Sequence, residues 1–203
     1  MLRKSLVFVV MAILFGSAIS PVRAQTWQYF QFPVYGYGNS ISQNFDVYGA
    51  VVAGKYHTGM DIVASGPQYI IASAFGQIYK IQPNAKPDDH KEGNSIIILH
   101  IVPIDSRGRT MAVFTQYCHL ANFASGLYVG KNVSAGTLLG TMGGTGDGVS
   151  NYWPRHLHFE VKTDGVLNNP SGTGQYWGYT PDHAYKYGFI DPASVINKWW
   201  AIR

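Results

Sequence analysis

The spacing of the β-forming runs constrains this chain most. Residues 77–81, 94–102, 110–118, 136–142 and 156–162 are short stretches rich in Ile, Val, Tyr and Phe, punctuated by Gly, Pro, Asn and Asp. Parallel neighbours need a crossover of a dozen or more residues, usually helical, and most of these gaps leave no room for such a helix. The pattern therefore predicts a mainly β single domain of antiparallel, twisted, sandwich-like sheets. Two loops, 143–155 and 164–187, are rich in Gly, Asn, Tyr and Trp and are expected to border a groove. A short C-terminal helix is predicted, with Asp191 as its cap, Pro192 in its first turn, and Val195, Ile196, Trp199 and Ile202 at helical spacing.

Composition narrows the function classes. Only 13% of the 203 residues are charged and 46% are hydrophobic, which excludes a charged disordered tail and a coiled coil and suits one packed core. The formal charge of +4 does not signal nucleic acid. Three of the 15 basic residues, Arg3, Lys4 and Arg23, lie in an N-terminal segment with the marks of a secretory signal, and the remaining 12 face 11 acidic residues with no basic run.

In that segment an apolar stretch from Leu6 to Phe15 follows Arg3 and Lys4, and Val22-Arg23-Ala24 supplies a small-residue cleavage site. The expected organisation is a signal peptide at 1–24, a lead-in at 25–47 and one functional domain at 48–203. The apolar stretch falls short of the ~20 residues a spanning helix needs, and no later run reaches that length. The mature chain is expected to be exported, to the periplasm or the extracellular cell-wall space, with no transmembrane segment and as a monomer. Its single cysteine, Cys118, rules out an internal disulfide, so packing alone must hold the fold. Cys118 precedes His119, but neighbours in a strand point to opposite faces, so the pair reads as a buried thiol beside an unrelated imidazole rather than as nucleophile and base.

The histidines carry the chemistry. His57 and Asp61 stand four residues apart with Gly59 between them, which suggests a turn entering a strand, so that both side chains face one point. In Arg155-His156-Leu157-His158-Phe159-Glu160, alternation puts His156, His158 and Glu160 on one face and Leu157 and Phe159 in the core. Side chains two apart on a strand stand about 7 Å apart, which suits one metal ligand and one neighbour better than two ligands. A catalytic zinc takes three N, O or S ligands and keeps one position open, and two histidines with one aspartate meet that count. No HExxH segment is present and the only glutamates are Glu92 and Glu160, so a histidine is the expected proton handler; Tyr117-Cys118-His119-Leu120 offers one at a strand end.

His57-x-x-x-Asp61, then Tyr117-Cys118-His119-Leu120, then His156-Leu157-His158-Phe159-Glu160, in this order, resembles the lysostaphin-type (LytM-like) zinc metallopeptidases of bacterial cell walls. Asp61-Ile62-Val63-Ala64, Gly143-Gly144-Thr145-Gly146 and Asp191-Pro192-Ala193-Ser194 also match, and the similarity runs from about Tyr48 to Ile196. The resemblance implies that His57, Asp61 and His158 bind one zinc ion per chain, while His119 and His156 flank the attacking water as catalytic residues. Glu160 is a candidate to orient a ligand, with an exposed strand-end carboxylate as the alternative. Tyr48 and Tyr56 are candidate oxyanion donors. The implied activity is hydrolysis of peptide bonds in peptidoglycan stems or cross-bridges, with a peptidoglycan peptide as partner.

Ahead of the paired histidines the family has a short Ser-Thr-Gly-Pro-like run. Here it is Val149-Ser150-Asn151-Tyr152-Trp153-Pro154-Arg155, longer and more aromatic, and Tyr152 and Trp153, with Tyr176, Trp177 and Tyr179, are candidate lining residues for a slender peptide. The short stretch between Gln25 and His57 leaves little room for an inhibitory prosegment. A non-catalytic wall-binding regulator with a peptidase-like fold is the competing class, and the survival of all five site positions argues against it. A zinc-storage or carbohydrate-binding β protein would have no use for His119 in its place.

Overall fold

The computed structural model describes residues 28–36, 38–49, 52–85, 92–103, 107–164 and 178–200. The expected signal peptide and two of the candidate lining residues, Tyr176 and Trp177, lie outside them. In chain order the strands are β1 (Gln28–Phe30), β2 (Val34–Tyr35), β3 (Asn39–Gln43), β4 (Tyr56–His57), β5 (Met60–Ala64), β6 (Tyr69–Ile71), β7 (Gly76–Gln82) and β8 (Asn94–Pro103). They continue with β9 (Thr110–Phe123), β10 (Asn132–Val133), β11 (Leu138–Met142), β12 (Leu157–Lys162), β13 (Tyr179–Thr180), β14 (Phe189–Ile190) and β15 (Lys198–Trp200). Every pairing between these strands is antiparallel. The mainly β, antiparallel expectation is borne out.

The 14-residue strand β9 is the trunk of the sheet. One edge pairs with β8 along most of its length. The other edge is shared: 114–118 pair with β12, and 120–123 pair with β11. Beyond β12 lies β5, with Asp61 opposite His158, and β3 pairs in turn with β5. Strand alternation then sorts the side chains. Met60, Ile62, Tyr117, Leu157, Phe159 and Val161 enter the apolar core with Ile70, Ile96, Ile98 and Leu139. Asp61, His158, Glu160 and Lys162 point to the opposite face and are buried there as well.

Alternation fails at His119 in β9. Between Asn94↔Leu120 and Ile96↔Tyr117 the register shifts, so Cys118 and His119 share the space opposite Ser95. This is a β-bulge, and His119 within it has φ of +62°. A bulge bends a strand and re-aims a side chain. His119 thus sits where β9 exchanges one partner strand for the other.

The C-terminal helix expected from the sequence is not formed. After Asp191, whose carboxylate accepts from the Ala193 N–H at 2.9 Å, only a single 3-10 turn spans Pro192–Ser194. Asn197 turns the chain with φ of +57°, and Lys198–Trp200 runs as strand β15 against β1. The cap and proline signals are genuine, but ladder bonds to β1 satisfy the backbone beyond Asn197 in place of helical ones. No helix among the described residues is long and apolar enough to cross a membrane.

Candidate metal centre and its histidines

The site forms where β4, β5 and β12 meet the bulge of β9. Gly59 explains the His57–Asp61 spacing. A Cβ there would overlap the Phe159 carbonyl and stand 3.0 Å from His158 Cε1, so only glycine lets the chain pass this close to β12 before β5 begins. With that approach, His57 Nε2, Asp61 Oδ1 and His158 Nδ1 converge. The separations are 3.0 Å between the two imidazoles, 2.9 Å from His158 to Asp61 and 3.3 Å from His57 to Asp61. One ligand atom from each of these three buried residues lies within 4.8 Å of the others, close enough to hold a metal ion.

Each imidazole is oriented from behind. His57 Nδ1 donates to the Asn44 carbonyl at 2.9 Å, which turns Nε2 toward the cluster. His158 is reversed: its Nε2 bonds Glu160 Oε1 at 3.1 Å, so Nδ1 faces Asp61. Glu160 is not an exposed strand-end carboxylate; it is fully buried and also accepts from the Thr58 hydroxyl at 2.6 Å. His119 Nδ1 donates to the Thr145 carbonyl at 2.9 Å, and His156 Nδ1 donates to the Pro154 carbonyl at 2.6 Å. Thr145 can reach His119 because Gly143 lies against the backbone of His119 and Ala121, where a Cβ would not fit.

The charges follow from these contacts. Burial works against ionisation of Asp61, but hydrogen bonds from His158 and His57 outweigh it and hold its carboxyl well below the usual carboxylate range. Burial also opposes a charge on His158, yet bonds to Asp61 and Glu160 push its pKa up to about 10. Between two carboxylates the pocket thus selects for positive charge. His119 is the reverse: burial, then the neighbouring His156 and His158, push it down to about 3. Burial likewise lowers His156. Both are therefore neutral near pH 7, with Nε2 available as a base. Their rings lie 4.6 Å apart, and His156 Nε2 is 3.9 Å from Asp61 Oδ1.

The five expected polar residues come together. Of the expected aromatic residues, Trp153 lies 6.0 Å from His119 and Tyr152 meets Trp153 edge-on at 4.8 Å. Tyr48 is exposed at the rim and packs on Tyr56 at 4.9 Å. Tyr179, a candidate lining residue from the sequence, pairs with His57 across β13 and β4, with ring centroids 5.5 Å apart. Burial, then the charge of Asp61, push its hydroxyl up to about 12, so it stays a donor. Thr58, Gln116 and Lys162 also belong to the site's surroundings and carry no motif that marks them. Cys118 is fully buried, and burial with the charges of Glu92 and Glu160 keeps its thiol protonated.

The family model of peptidase family M23 matches residues 55–170, more than half of the chain. The chain belongs to peptidase family M23. The match takes in all five polar site residues, and the lysostaphin-type resemblance stands on it. No curated protein matches. Among solved structures, the M23 chain is similar to Csd3 of Helicobacter pylori, with 19% identity over 84% of this chain and 35% of that one and a TM-score of 0.51. The SpoIIQ–SpoIIIAH pore-forming complex is similar at 16% identity over 84% of this chain and 92% of that one, with a TM-score of 0.53. The catalytic domain of the antimicrobial peptidase lysostaphin from Staphylococcus simulans is 22% identical over 68% of this chain and 86% of that one, with a TM-score of 0.43. At such identities the likeness is one of fold. Membership places this chain in a family of peptidases; it spans about a third of the length of the Csd3 chain, and its three-residue cluster can hold a metal.

Proposed function

We propose that this M23 protein is a zinc-dependent endopeptidase that is exported and hydrolyses peptide bonds in peptidoglycan stems or cross-bridges. The convergence of His57, Asp61 and His158 carries the reading: two nitrogens, on imidazoles each held from outside the cluster, and one carboxylate oxygen form a donor set that zinc prefers. When bound there, zinc supplies Lewis-acid polarisation of the scissile carbonyl and lowers the pKa of water.

The remaining steps belong to the chain's own side chains. His119 and His156 are the catalytic pair. Neutral and tied at Nδ1, each can take a proton at Nε2, one from the attacking water and one for transfer to the leaving amine. Tyr179, a protonated phenol beside His57, supports donation toward the developing oxyanion more directly than Tyr48, whose ring lies on Tyr56 at the rim. Tyr48, Tyr152 and Trp153 are assigned to substrate contact. The flat aromatic walls beside His119 and the glycines of the 143–146 turn suit a slender, small-residue peptide such as those of the cell-wall polymer.

Metal analysis of the purified protein, together with mass spectrometry of fragments released from sacculi of several bacteria, tests the reading. One zinc per chain and new peptide termini are expected. Intact sacculi with zinc bound would remove the substrate assignment, and absence of zinc would remove the catalytic one.

A further inference from the structure

Behind His158 the protein buries more charge than the ligand set requires. Strand alternation brings His158, Glu160 and Lys162 to one face of β12, and Gln116 of β9 stands opposite Glu160. The Lys162 ammonium bonds Glu160 Oε2 at 3.2 Å and also bonds Gln116 Oε1. The Gln116 amide nitrogen donates in turn to Glu92 Oε2. All five side chains are buried, and the ring of Phe189 closes over the ammonium at 5.9 Å. The result is a continuous string of carboxyl, amide, ammonium, carboxylate and imidazole ending at the metal cluster. Apolar residues at 116, 160 and 162 would serve the fold as well or better, because desolvating an ion pair costs about as much as its attraction returns. The string is therefore not accounted for by packing.

The direction of the hydrogen bonds shows what it does. The Gln116 amide cannot turn over, since its oxygen serves Lys162 and its nitrogen serves Glu92. Lys162 is thereby seated against Glu160 Oε2. That leaves Glu160 Oε1 for Thr58 and for the Nε2–H of His158, and it leaves His158 Nδ1 turned toward Asp61 and His57. Resting on the reading that His57, Asp61 and His158 hold zinc, we propose that Lys162 is a positioning residue of the metal centre: held by Gln116 and Glu92, it pins the Glu160 carboxylate and so fixes the orientation of His158 as a ligand.

The test titrates zinc and cobalt(II) into the metal-stripped full chain against a chelating dye. One equivalent of zinc bound by the unsubstituted protein tests the underlying reading separately; failure there removes both. With that in hand, Lys162→Met should keep a cooperative melt but raise the zinc dissociation constant about 10–100-fold, the loss typical of outer partners of a metal ligand. The visible absorption of its cobalt form should shift, which a purely structural ion pair would not cause. Glu160→Gln should give a similar loss, and the double variant little more than the worse single, because both act through one contact. Zinc affinity within about twofold of the parent with an unchanged cobalt spectrum overturns the proposal, as do single losses that add in full. If Lys162→Met does not melt cooperatively, Gln116→Leu removes the second partner of Lys162 without removing a charge. A shifted cobalt band then supports the proposal, and parental affinity and band overturn it.

Discussion

At the scale of single residues, what distinguishes the four cluster histidines is which nitrogen is tied, and to what. His57, His119 and His156 are held at Nδ1 by main-chain carbonyls, whereas His158 is held at Nε2 by a carboxylate. His57 and His158 bring a nitrogen to 3.3 and 2.9 Å from the Asp61 carboxylate while His119 and His156 lie beside that cluster, so the proposed ligands and proton handlers should separate on substitution. His158→Ala should lose stoichiometric zinc, and metal content still at one equivalent would break the ligand assignment. His119→Ala should keep its zinc and lose about 100-fold or more in turnover, the usual scale of acid–base catalysis, and full residual activity would take it out of the mechanism.

His100 gives a pH prediction away from the cluster. It is buried between the Phe75 carbonyl and the Thr115 hydroxyl, each at 2.8 Å, and burial outweighs the bond to Phe75 to push it down to about 4. Because the folded state binds this proton less readily than the unfolded state, its contribution to stability is complete above pH 6.5 and is lost as pH falls toward 4. His119, lowered to about 3, acts in the same direction. Thermal melts between pH 7 and 4 should fall steadily in midpoint, and His100→Gln should make the fall shallower. An unchanged slope would show that His100 does not contribute.

At the scale of elements, the close approach of the turn before β5 to β12 sets the ligand distances. Gly59→Ala places a methyl group against the Phe159 carbonyl, so the strands must part. The expected cost is about 1–3 kcal/mol in denaturant unfolding, the range for overpacking, accompanied by weaker zinc binding. Parental stability and affinity would show that the backbone gives way without consequence. This is also the scale at which the sequence was most and least informative. His57, Gly59 and Asp61 announce their turn, and the alternation of His156–Glu160 announces its two faces, because each pattern is local. The bulge at His119 is not local. It comes from the mismatch between β8 and β9 near Ser95, a property of pairing that no run of residues displays. The same holds for the C-terminal segment, whose cap and proline are visible in the sequence while the competing pairing with β1 is not. Gln116 and Lys162 stayed hidden as well, since residues 46 apart in sequence meet only when β12 docks on β9.

For the molecule as a whole, the two ends of the described chain help to close the core. Phe30 of β1 is fully buried, meets His100 edge-on at 5.0 Å, and bonds through its carbonyl to Asn197, just before β15. Truncation of such a side chain typically costs about 3–5 kcal/mol, so Phe30→Ala should lower the denaturant midpoint strongly. A loss below about 1 kcal/mol would show that this corner of the core is dispensable. The pairing of β1 with β15 also bears on how the polypeptide folds. Two strands this far apart along the backbone close a very large loop when they meet, so their ladder should zip late, after the hairpins between them have formed.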